Sequence, residues 1–230
     1  MIRKIRDSDK EKVDGLNEEM VIAQGIIFLA AGFETSASTM SLLMYSLAKH
    51  KIAQEKCYEE ISNIVSEGNE ITHDTIADMP YLEACIQETC RLYPIVIRNQ
   101  RYCTKDSDID GMHIRKGTTV IVPTWAMHRN PEIFGQDAGE FVPERFLEGA
   151  ANEHMSNHTF HAFGGGPRTC IGMRFAMAEM KIAVSKLLLN FSIQDEPGVT
   201  KLDFDKGSYF MLSYPDMQVR IKKRTQEEEE

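Results

Sequence analysis

No stretch of this sequence is apolar over the ~20 residues that a membrane-spanning helix needs. The most apolar run, residues 21–31, is about half that length and is interrupted by Gln24. A signal peptide is not visible either, because Met1-Ile2-Arg3-Lys4 leads straight into charged residues. Basic charge is in deficit, with 26 Lys and Arg against 35 Asp and Glu and a net charge of -9, so a nucleic-acid partner has no electrostatic support. Part of the acidic excess sits in the tail, residues 225–230, which closes on four consecutive glutamates and reads as a solvated end. Cysteines are sparse and odd in number: Cys57, Cys85, Cys90, Cys103 and Cys170, with no Cys-x-x-Cys pair. A disulfide scaffold is thereby excluded and a reducing compartment favoured, where the sequons at Asn157 and Asn190 read as chance. No internal repeat is present, which excludes a solenoid.

What is present suits one domain with a sizeable core: 230 residues, 42% apolar and 27% charged. Residues 1–16 form a charged loop without apolar periodicity. From Asn17 to about Leu47 there is no proline, and Asn17 followed by Glu18-Glu19 makes a helix start. Residues 26–33 are apolar all round, which predicts that this long helix crosses a core. Further helices are predicted over residues 51–66, stopped near Gly68, over residues 81–93, closed by Pro94, and over residues 171–190. Thr72 is a candidate cap for a short helix before Pro80. Short strands are expected at residues 95–97, 101–103 and 118–122, with turns at Asp110-Gly111 and Lys116-Gly117 and weaker strand signals near Phe204 and residues 217–221. Residues 123–167 look irregular. The fold class is mainly α with small β-sheets.

The strongest chemical signal is Phe163-Gly164-Gly165-Gly166-Pro167-Arg168-Thr169-Cys170-Ile171-Gly172. Three glycines permit backbone conformations that a Cβ would block. The cysteine stands near a predicted helix start, where N–H groups and the dipole favour a thiolate. A glycine-rich turn with a buried structural cysteine is the bland alternative. A second segment, Glu88-Thr89-Cys90-Arg91, puts Glu88 and Arg91 on one helix face. A third, Pro143-Glu144-Arg145-Phe146, lies between it and the cysteine. A fourth, Ala31-Gly32-Phe33-Glu34-Thr35-Ser36, sits in the long helix, where glycine eases a local opening and a Thr hydroxyl can relay protons. Taken alone it is an ordinary helix with an exposed Glu and a back-bonded Thr.

In joint order and spacing, the four segments resemble the signatures of the cytochrome P450 superfamily, with finer likeness to the animal microsomal branch in Met127-His128-Arg129-Asn130-Pro131 and Cys170-Ile171-Gly172-Met173-Arg174-Phe175-Ala176. The resemblance runs from about Glu19 to Arg224 and implies that residues 1–230 are the C-terminal, heme-ligating part of one such domain. It implies heme b as cofactor, with Cys170 as axial iron ligand and Phe163, Arg168, Arg101 and Gly172 also at the heme. It gives Thr35 and Glu34 the oxygen-activating role, Glu88, Arg91 and Arg145 a structural charge network, and Ala31, Val96 and Ile97 a substrate-lining one. The implied activity inserts one atom of O2 into a lipophilic substrate, with electrons from an NADPH-dependent reductase and cytochrome b5 as a further partner. The implied location is the cytoplasmic face of the endoplasmic reticulum membrane, through an N-terminal anchor that this chain lacks. The family's N-terminal half would precede Met1, so a partial record or a truncated heme-binding fragment without turnover is the alternative to a monooxygenase. Arg174 and Lys181, two helical turns apart, together with Lys186, are candidates for docking an acidic reductase or for a merely solvated face. His154, His158 and His161 allow a zinc reading, with surface histidines as the plainer one.

Overall fold

The computed structural model describes residues 17–66, 68–147, 157–196, 202, 211, 212, 214 and 217–224. Helix α1 runs Glu18–Lys49, and Asn17 caps it by accepting the Met20 N–H at 2.8 Å. Helix α2 follows at Lys51–Ser66, ending near Gly68, whose φ of +83° suits only glycine without strain. A 3₁₀ turn at Thr75–Asp78 precedes α3, Pro80–Leu92, so Pro80 opens the helix rather than closing the segment before it. Glu60 of α2 caps α3 from outside, its carboxylate accepting the Tyr81 and Leu82 N–H groups at 2.7 and 3.0 Å.

The strands are short and all antiparallel. β1, Asn99–Tyr102, pairs with β4, Thr119–Val122, with Arg101 opposite Val120. Between them β2, Ser107–Ile109, and β3, Met112–Ile114, form a hairpin on Asp110-Gly111, both with positive φ as its tight two-residue turn requires. The expected strand at residues 95–97 is absent. Among the described residues, Val96 makes an isolated bridge to Met211, and the Leu212 N–H donates to the Ile95 carbonyl at 2.9 Å. Residues 123–167 hold more order than expected: α4 at Thr124–His128, α5 at Pro131–Phe134, and 3₁₀ turns at Pro143–Phe146 and Gly166–Arg168. α6 spans Met173–Asn190 and runs into β5, Phe191–Asp195, paired with β6, Val219–Lys223. Phe204 and the acidic tail lie outside the described residues.

The chain divides into two units, Met1–Ala37 and Ser38–Glu230. In the second, Leu43 and Leu47 of α1, Cys57 and Ile61 of α2, Leu82 and Ile86 of α3, and Met180 and Leu188 of α6 make one core. Each such side chain contributes roughly 1.5–3 kcal/mol by leaving water. Gln54 ties α1 to β5 through the core, donating to the Leu47 and Ile193 carbonyls and accepting the Ile193 N–H, all within 2.9 Å. All five cysteines are free, and Cys57 and Cys85 touch sulfur to sulfur at 3.5 Å across the α2–α3 contact.

Two expectations for α1 are corrected. Residues 26–33 cross no core of this chain: Ile26, Phe28, Leu29 and Phe33 are all more than half exposed, and burial begins only at Ser36. The helix as a whole is also long and apolar enough to cross a membrane by length and composition, a test that core helices pass as well.

Candidate heme-thiolate site

The cysteine loop is built by backbone turns. Gly164 and Gly166 have φ of +74° and +68°, which a Cβ would strain, and the 3₁₀ turn at Gly166–Arg168 leads into Thr169. Gly165 is fixed by space instead: a Cβ there would stand 2.9 Å from His161 Cε1. The Cys170 N–H donates back to the Phe163 carbonyl at 2.8 Å, closing the loop. Cys170 itself is exposed and precedes α6 rather than opening it, since Gly172 occupies the cap position and the Met173 N–H reaches the Cys170 carbonyl at 3.4 Å. A Cβ on Gly172 would come within 3.9 Å of Cys170 Sγ.

These features fit a heme. Cys170 is exposed, as are Ile171 and Phe175 close to it in sequence, at 85% and 74% of full accessibility, and a flat apolar group could pack on such side chains. Uncovered apolar side chains around a thiol are costly unless something packs there. Arg101 and Arg168 are exposed cations in the same unit. Arg101 stands near enough to the loop to push the His161 pKa down, after desolvation and His158.

Behind the loop lies a buried charge network. Glu88 and Arg91, neither exposed at all, form a forked pair at 2.6 and 2.8 Å. Arg91 donates further to the carbonyls of His128, Ala138 and Glu140 at 2.6, 2.7 and 2.9 Å. Glu88 also accepts the Val142 N–H at 2.8 Å. Desolvation raises the Glu88 pKa, against the pull of Arg91, the Val142 N–H and Arg145. Arg145 approaches Glu88 only at 3.5 Å and its nearer partner is Asp137, at 2.6 Å, with the Phe134 and Asp137 carbonyls also accepting from it. The network thus stitches α3 to residues 128–145.

In the first unit, Thr35 donates to the Ala31 carbonyl at 2.6 Å, the back-bond that a helical Thr readily makes, and Glu34 is exposed. Gly32 has open space where a Cβ would be. Val96 and Ile97 are half-buried in the second unit. Lys181 is corrected: it is 3% exposed and donates to Glu83 at 2.7 Å, so it cannot join Arg174 and Lys186 as a docking cation. No three metal-ligating side chains converge among the described residues, which include His158 and His161 but not His154.

Sequence reasoning passed over His128 except as part of a phrase. It is fully buried and accepts the His161 N–H. The available signal was a ring with two polar atoms at the end of a short segment otherwise flanked by Trp125 and Met127, whose nitrogens would need partners.

The sequence profile of the family described as Cytochrome P450 matches residues 1–221. Among similar curated proteins, cytochrome P450 3A6 of Oryctolagus cuniculus is 42% identical over 193 residues, covering 83% of this chain and 38% of that protein. Cytochrome P450 3A29 of Sus scrofa is 42% identical over 194 residues, 84% of this chain and 38% of its own length. Cytochrome P450 3A16 of Mus musculus is 43% identical over 189 residues, 82% and 37% respectively. The chain therefore spans a little over a third of the length of these relatives.

Proposed function

The chain belongs to the cytochrome P450 family, and from that premise we propose that it is the iron-ligating part of a heme-thiolate monooxygenase acting on a lipophilic substrate. The observation that carries this is the exposed Cys170 at the end of the glycine loop, with Ile171 and Phe175, close to it in sequence, exposed as well. Heme, when bound, supplies an iron centre for O2 activation, which thiolate donation promotes. Cys170 would hold the iron through its thiolate. The Phe163–Cys170 hydrogen bond holds the loop closed. Arg101 and Arg168 would pair with propionates. Glu88 and Arg91, with Arg145 beyond them, hold residues 128–145 behind the loop and take no part in chemistry.

Thr35, whose hydroxyl donates to the Ala31 carbonyl, would take the proton-relay role that the resemblance gives it, and Glu34 would resupply that proton. Ala31, Val96 and Ile97 would contact substrate and exclude water. Electrons would come from an NADPH-dependent reductase, with cytochrome b5 as a further donor, at the endoplasmic reticulum membrane. The apolar residues 26–33 of α1, exposed in this chain, would be covered in the whole protein. A hemin titration tests the site. One equivalent is expected to bind, with Cys170→Ser weakening binding at least about tenfold and Cys103→Ser leaving it unchanged. Equal weakening by both substitutions, or by neither, would contradict the assignment.

A further inference from the structure

His128, at the end of α4, uses both ring nitrogens, each in a different sense. Nε2 accepts the His161 N–H at 2.8 Å, and Nδ1 meets the Arg91 carbonyl at 3.1 Å. An amide N–H can only donate and a carbonyl can only accept, so the ring proton must sit on Nδ1. The ring stacks on Phe160 at 5.4 Å and 9°, and meets Phe134 edge-on at 6.0 Å. The His128 carbonyl in turn accepts from Arg91 Nη1 at 2.6 Å. One residue is therefore bonded on one side to the buried Glu88–Arg91 pair and on the other to His161. Two residues beyond His161 is Phe163, whose carbonyl takes the Cys170 N–H.

We propose that His128 is a positioning residue for the Cys170 loop: a neutral, single-tautomer bridge that fixes Phe160 and His161 against the Arg91 backbone and thereby sets where the sulfur stands. Packing alone does not require this arrangement, since a phenylalanine would fill the same stack. A second ring proton would turn the Nε2 acceptor into a donor facing the His161 N–H. The surroundings oppose that proton as well: desolvation first, then the charges of Arg91, His161 and Arg129, lower the pKa to about 3. The consequence for iron rests on Cys170 being the ligand, but the bridge is testable without heme, so its failure leaves that assignment standing.

The test is amide hydrogen exchange of the chain as wild type, His128→Phe and His128→Gln, with core amides of α2 and α6 as references. His128→Phe keeps the stack and strands both partners. Exchange at residues 161–170 is expected to rise on the order of 10- to 100-fold, with the reference amides little changed. His128→Gln, which carries a donor and an acceptor on one neutral group, is expected to recover most of the protection. Unchanged loop exchange in His128→Phe, an equal rise at loop and reference amides, or no recovery with Gln overturns the proposal. Imidazole ¹⁵N shifts of the wild-type chain decide it even if His128→Phe does not fold. Nδ1–H alone is expected at pH 7, and an Nε2–H or doubly protonated ring overturns it.

Discussion

Replacing Arg91 by Ala removes five hydrogen bonds at once from a site with no solvent exposure. Glu88 is left with the Val142 N–H and a distant Arg145 at 3.5 Å. Breaking a buried pair from one side costs about 3–5 kcal/mol, because the surviving charge is uncompensated. The carbonyls of His128, Ala138 and Glu140 also lose a donor, at roughly 1–3 kcal/mol for each that stays dry. Water entering the space relieves part of this, so the pair's 3–5 kcal/mol is a fair lower bound. Against a total stability of roughly 5–15 kcal/mol, that is the difference between a folded and a largely unfolded chain. Urea unfolding followed by circular dichroism measures it. With a slope of about 2–3 kcal/mol/M for a chain of this size, the midpoint should fall by at least about 1 M. Arg91→Lys, which keeps the charge but cannot fork, should fall between wild type and Ala. The double variant Glu88→Met/Arg91→Met should be less destabilised than the sum of its singles, since it removes both charges together. A midpoint for Arg91→Ala indistinguishable from wild type, or strict additivity in the double variant, would refute the reasoning.

Under the proposed function, Thr35→Ala in the full-length parent, assayed with an NADPH-dependent reductase, should keep substrate binding but lower product formed per NADPH and raise hydrogen peroxide. Loss of proton assistance can reach ~10²–10⁴-fold, with the low end expected because water can stand in for one hydroxyl. Unchanged coupling would leave Thr35 a helix residue only. The His128 pKa, lowered from 6.5 to about 3, means that the unfolded chain takes up the proton first as pH falls. Stability from this group is therefore full above about pH 6.5 and drains away toward pH 3, by up to ~1.4 kcal/mol per pH unit. Urea midpoints against pH should slope less in His128→Gln, and identical profiles would contradict the burial argument. Gly166→Ala meets open space but a φ of +68°, so it should cost about 1–2 kcal/mol, read as a fall of a few degrees in Tm. Gly165→Ala pays no such backbone strain, since its φ is -156°, but must displace the His161 ring, so a smaller fall in Tm is expected; no fall at all would count against the close approach.

Much of the helical framework was legible because its signals are local. Asn17 marks the start of α1, Gly68 the end of α2, and Asp110-Gly111 a hairpin, each through backbone chemistry that acts within four residues. The strand expected at residues 95–97 is reduced to an isolated Val96–Met211 bridge, a distinction that apolar β-branched residues do not encode. Lys181 was misjudged for a related reason: helical spacing fixes which face it shares with Arg174, but only the position of Glu83 on another helix decides that it is buried. The turns of the Cys170 loop were legible through its glycines. His128 was not, since its role rests on two backbone groups, at Arg91 and His161, that come together only in the folded chain. The near partner of Arg145 being Asp137 rather than Glu88 is likewise a matter of distances that no motif encodes.

Ligation of iron by Cys170 is tested most directly by the absorption spectrum of the reduced, carbon-monoxide-bound heme complex, recorded for wild type and Cys170→Ser. Wild type should show the red-shifted Soret band of a thiolate-ligated heme, and Cys170→Ser should lose it even where heme is retained. A thiolate-type band that survives the substitution would place the ligand elsewhere and contradict the assignment.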